Sequence, residues 1–206
     1  MERINISETV GSDAYATAAD FEQIFTQEMN AFYLLSFLLT GDRAKAEECF
    51  VSGIGESTKA SRVFKEWTRS WARRTIIQSA IRLIGPLERP DLAMRSRSAV
   101  RAMDKLPLVS QAEVSAILEL SPFERFVFVM SVLEHYSDNE CSILLGCLRK
   151  DVIEARTRAL QHLGRLMKSQ KSEPGTVPED SAVRKNPIEV IEWTIVRYFP
   201  TPTFTA

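Results

Sequence analysis

The segment SPFERFVFVMSVLEHYSDNECSILLGCLRKDVIEARTRALQHLGRL, residues 121–166, restricts the fold of this chain more than any other stretch. Ser121-Pro122-Phe123-Glu124 has the form of a capping box. A hydroxyl is placed to accept from free amides, Pro sits where no N–H is needed, and a Glu three residues on can reach back. Ser137-Asp138-Asn139-Glu140 has the same form and opens a short helix, which Gly146 ends by supplying a left-handed residue. After a three-residue turn, Val152, Ala155, Ala159, Leu163 and Leu166 recur at helical spacing and mark a long helix. A short helix, a tight turn and a longer helix admit two readings: an αα-hairpin in an ordinary bundle, or a unit that lays its second helix in the major groove of DNA. Charge favours the second. Residues 149–171 carry seven basic side chains against Asp151 and Glu154, a net +5.

The formal net charge of −1 hides an alternation of blocks. Residues 1–58 hold 3 basic and 10 acidic side chains, a net −7, and residues 59–105 hold 12 basic and 4 acidic, a net +8. Residues 106–148 come to −5 and residues 172–206 to −2. Basic blocks suit phosphate and acidic blocks suit a basic protein partner; solvated helix faces are the plain alternative. Cys49, Cys141 and Cys147 have spacings that match no zinc or redox motif, and with His135 and His162 alone no metal site is expected. They read as small buried hydrophobes. No cationic leader precedes an apolar run, and no apolar stretch has membrane length, so the expected compartment is the cytoplasm.

Length and a hydrophobic content of 45% suit two small cores. Residues 1–19 are polar and small and read as loose. From Asp20, Phe21, Ile24, Phe25, Glu28, Met29, Phe32, Ser36 and Leu39 follow one helical face up to Thr40-Gly41. Asp42 caps a second helix with Ala46, Cys49, Phe50 and Ile54 inside. Residues 52–58 read as a Gly/Ser loop and 59–83 as a third helix with two stripes. Phe64, Trp67, Trp71, Thr75, Ile76 and Leu83 make the apolar one, so Trp67 and Trp71 are expected in the core. Arg62, Lys65, Arg69 and Arg73 make the basic one, expected to be exposed. Gly85-Pro86, Pro90 and Pro107 mark 85–110 as a linker, and 111–168 form a second helical domain. Residues 169–185 are a polar connector. Asn186-Pro187-Ile188-Glu189 then opens a short C-terminal helix bearing Ile188, Ile191, Ile195, Tyr198 and Phe199. That helix is expected either to dock on this chain's own domains and cover DNA- or polymerase-binding surface, an autoinhibitory arrangement, or to stabilise the chain with no regulatory role. The whole reads as all-α: domains at 20–84 and 111–168, with 169–206 as connector and C-terminal helix.

LLTGDRAKAEECF followed by VFKEWTRSWARRTIIQSAIRLI, a linker and the capped helix–turn–helix resembles an extracytoplasmic-function RNA polymerase sigma factor. The likeness spans roughly residues 20–166. Its most specific parts are Gly41-Asp42 with Ala46-Glu47-Glu48, Trp67 with Ala72, and Glu140 with Leu145-Gly146, Val152, Arg158-Ala159 and Leu163. The resemblance implies two helical domains: a region 2-like bundle that docks on polymerase and melts the −10 element, and a region 4-like helix–turn–helix that reads the −35 element. It implies polymerase docking through Ala46, Glu47, Glu48, Phe50 and Val51. It implies −10 contacts from Arg62, Lys65, Arg69, Arg73, Arg74 and Gln78, and −35 contacts from Arg149, Lys150, Glu154, Thr157 and Arg158. Core RNA polymerase, promoter DNA and an anti-sigma protein are the implied partners. Where the family usually has a Ser or Thr cap and polar recognition positions, this chain has Leu148, Ile153 and Ala155. Glu48 and Val51 replace the usual Asp and Gln of the docking helix, and Arg74 and Gln78 the usual Asn and Asp of the third.

Gly53-Ile54-Gly55 is too short for a phosphate loop, and neither histidine has a Ser or Cys partner in sight. An enzyme is therefore not expected, nor a cofactor. The alternative to a sigma factor is a sigma-derived regulatory module that binds a protein partner and reads promoters weakly.

Overall fold

The computed structural model describes residues 14–87 and 108–170. Most of the expected linker, and the expected connector and C-terminal helix after residue 170, lie outside them. The protein is all-α. Among the described residues there is no strand, only an isolated bridge between Tyr15 and Phe64. The chain divides into two compact units, with the boundary between Ile84 and Gly85.

The first unit holds α1 (Ala18–Gln27), α2 (Met29–Thr40), α3 (Arg43–Ser57), a 3-10 turn (Lys65–Trp67) and α4 (Thr68–Ile84). α1 begins before Asp20 because Thr17 caps it. The Thr17 hydroxyl accepts from the Asp20 amide, and the Asp20 carboxylate accepts from the Thr17 amide at 2.7 Å. Residues 14–16 are not loose either. The Ala16 amide donates to the Val63 carbonyl at 2.7 Å, and the Lys65 amide donates to the Ala14 carbonyl at 3.0 Å. The single face expected from Asp20 to Thr40 is two helices, broken at Glu28 with φ −111° and ψ 22°.

Asp42 caps α3 by accepting from the Lys45 amide at 3.0 Å, after Gly41 has closed α2 at φ 68°. The loop expected over 52–58 is instead the last part of α3. Gly53 lies against α4, where a Cβ would stand 2.7 Å from Ile76 Cγ1, so its missing side chain permits close helix packing. Phe21, Phe25, Phe32, Leu35, Leu39, Ile76 and Ile77 fill the core. The third helix starts at Thr68, nine residues later than its stripe suggests. Arg62 sits at φ 64°, a conformation that a helix does not use.

The second unit holds α5 (Leu108–Leu118), α6 (Pro122–Phe128), a π-helical turn (Val129–Leu133), α7 (Asp138–Leu145) and α8 (Arg149–Gln170). α5 begins within the residues expected as linker, directly after Pro107. Ser121 accepts from the Glu124 amide at 3.4 Å, with Pro122 at the first turn. Both halves of the Ser137/Glu140 capping box form, and Gly146 ends α7 at φ 69°. Val152, Ala155, Ala159 and Leu163 are buried, and α5, α6 and α7 all pack on α8. Between the π-helical turn and α7 the chain reverses through His135 at φ 56°, a backbone state that costs a non-glycine residue roughly 1 kcal/mol.

Candidate nucleic-acid interface

The helix–turn–helix formed by α7 and α8 is held by charge as well as by its core. Arg156 grips Asp138 of α7 through both terminal nitrogens, at 2.5 and 3.4 Å. Arg158 donates through Nε to Glu124 of α6 at 2.8 Å and lies 3.9 Å from Glu154. Glu154 also meets Lys150 at 3.6 Å. The five polar residues expected on the recognition helix thus divide by position. Arg149, Lys150, Glu154 and Thr157 are exposed, with no carboxylate among the described residues paired to Arg149. Arg158 is also exposed, but its guanidinium fastens α8 to α6. Leu148 and Ile153 stand beside them, 71% and 40% exposed.

In the first unit the geometry departs from two expectations. Trp67 and Trp71 are 51% and 38% exposed, not core residues. They face outward because Trp67 lies in the 3-10 turn rather than on a continuous helix, and α4 buries Ala72, Thr75 and Ile76 instead. Tyr15 stacks on Phe64 with ring centroids 4.9 Å apart, and Phe64 meets Trp67 edge-on at 5.2 Å. This aromatic surface was not legible as one site, because Tyr15 reaches it only through the bridge to Phe64.

The expected basic stripe is not a single exposed row. Arg62 and Lys65 lie before α4 and are exposed, whereas Arg69 and Arg73 turn toward Glu28 at the break between α1 and α2. The Arg73 side chain is only 12% exposed, lies 3.8 Å from the Glu28 carboxylate and covers the Phe32 ring at 5.9 Å. A buried carboxylate draws the two guanidinium groups inward, since desolvated charge must be paired. Arg74 and Gln78 are half-buried.

On α3, Glu47, Glu48 and Val51 face outward, while Ala46 is buried and the half-buried Phe50 packs against Phe25 and Tyr33. The exposed part of the expected docking residues is therefore acidic with one apolar side chain. Burial pushes the Cys49 thiol up to about 11 and the Cys141 thiol to about 12, and it also raises Cys147. Among the described residues, no three His, Cys, Asp or Glu side chains gather as they would around a metal ion, and no helix is long and apolar enough to cross a membrane. No family model, curated protein or solved structure matches this chain.

Proposed function

We propose that this protein is a sigma-factor-like transcription initiation protein that binds promoter DNA and core RNA polymerase in the bacterial cytoplasm and catalyses no reaction. The observation that carries the reading is the α7–turn–α8 unit. It is capped at Ser137, closed by a left-handed Gly146 and braced by Arg156–Asp138, and it presents Arg149, Lys150 and Thr157 outward from the first turns of α8. Those are the positions from which a recognition helix meets phosphates and base edges. In the first unit, the Tyr15–Phe64–Trp67 surface beside Arg62 and Lys65 supports single-strand binding, with bases stacked on rings and phosphates near cations. Arg69 and Arg73 serve that site by holding the α1–α2 corner rather than by meeting DNA directly. The outward carboxylates of α3 and Val51 supply the polymerase-facing surface, and an anti-sigma protein would compete for such surfaces.

A second reading, a regulatory module that binds a protein partner in place of a promoter, draws on Leu148 and Ile153, which put exposed apolar groups where base-reading side chains would stand.

The test is DNA binding as a function of salt. Arg149→Ala and Lys150→Ala should each weaken binding across all sequences and lower the slope of log K against log salt by about 1. A slope unchanged in both variants would remove α8 from the interface.

A further inference from the structure

Ile143 on α7, Leu148 in the turn and Ile153 on α8 are all large, apolar and exposed. Single exposed apolar residues are ordinary, but three between residues 143 and 153, edged by Arg149 and Lys150, are the makings of a docking surface. The sequence of residues 187–199 is its complement. Ile188, Ile191 and Ile195 follow at helical spacing, with Glu192 along the edge of that stripe. A segment this short is marginal as a helix in water unless its apolar side is covered.

The tether favours an occupant from the same chain. α8 has 22 residues, so its two ends are about 33 Å apart. Residues 171–186 number sixteen, a length of chain that reaches at most roughly 50 Å, more than the length of α8. Such a tether holds the segment at an effective concentration in the ~mM range, well above that of a second copy in solution.

We infer that residues 187–199 dock through Ile188, Ile191 and Ile195 on the Leu148–Ile153 face of the second unit, with Glu192 set against Arg149 and Lys150. Docking covers the outward face of α8. Its consequence for DNA binding, an autoinhibited chain, rests on the reading proposed above, whereas the docking itself needs only the apolar and charged surfaces.

Hydrogen exchange of the full chain, read by mass spectrometry on peptides covering 187–199, tests this without DNA or polymerase. Because docking and helix formation are coupled here, the amides of 187–199 should exchange several-fold more slowly than in the free peptide. The double variant Leu148→Glu/Ile153→Glu should lose that protection while the circular dichroism of the chain is kept, since both side chains are exposed. Free-peptide exchange rates in the parent chain would overturn the inference. So would protection that the double variant leaves intact, which would locate the segment elsewhere, and protection that falls on dilution, which would make the occupant a second copy. A failure of DNA binding leaves each of these outcomes readable.

Discussion

Glu28 sits where α1 gives way to α2, and its buried carboxylate meets Arg69 and Arg73 from α4. Removing it leaves two guanidinium groups against an apolar wall with their shared counter-charge gone. Glu28→Ala should therefore cost about 3 kcal/mol, the lower end expected for breaking a buried pair, because Arg69 stays about one-third exposed. A urea midpoint unchanged from the parent would show the pair to be dispensable. The cysteines give a second test at the same scale. Burial holds Cys49 and Cys141 at about 11 and about 12, against 9.0 for an ordinary thiol. A folded-state pKa raised above the unfolded one favours the neutral thiol. Its stabilisation is full below about pH 9 and is lost as pH climbs toward the folded values. Urea midpoints should fall above pH 9, and the fall should be shallower in Cys49→Ala/Cys141→Ala. Equal slopes in the two proteins would assign the alkaline loss to other groups.

At the scale of elements, local chemistry was legible and long-range chemistry was not. The caps at Asp42, Ser121 and Ser137 and the left-handed Gly41 and Gly146 follow from nearest neighbours, as do the buried Val152, Ala155, Ala159 and Leu163 of α8. The break at Glu28 carries no Gly or Pro to announce it; its reason lies about forty residues away in Arg69 and Arg73. Likewise the late start of α4 depends on Ala14 and Tyr15 holding 63–65 extended, and that pairing is what leaves Trp67 and Trp71 outward. The two glycines of α3, whose composition reads as a loop, have a related explanation. Gly53 is required by Ile76 across the helix interface, while Gly55 has nothing within 4 Å of an added Cβ. Gly53→Ala should destabilise by about 1–3 kcal/mol through overpacking. Gly55→Ala should stabilise by up to about 1 kcal/mol, because alanine loses less backbone entropy in a helix. Thermal unfolding of the two variants decides it, and a shift of the same sign in both would contradict the close approach of α3 to α4.

For the whole molecule, the alternation of charge is the property that a near-zero sum conceals. Each unit exposes side chains of both signs: Glu47 and Glu48 as well as Arg62 in the first, Glu140 and Glu154 as well as Arg149 and Lys150 in the second. Surfaces of both signs suit a protein partner as well as nucleic acid, and they support the function proposed above. The candidate site residues come from the resemblance to a family. How they are disposed is not legible there, because Glu28 at the α1–α2 break draws Arg73 inward and Glu124 of α6 ties down the exposed Arg158. The most direct measurement is to add the purified chain to bacterial core RNA polymerase and sequence the run-off transcripts from a promoter library. Co-elution with core polymerase, together with transcripts that start at a common sequence and vanish with Arg149→Ala/Lys150→Ala, is the predicted result. A chain that neither binds core polymerase nor changes the start sites would contradict the assignment.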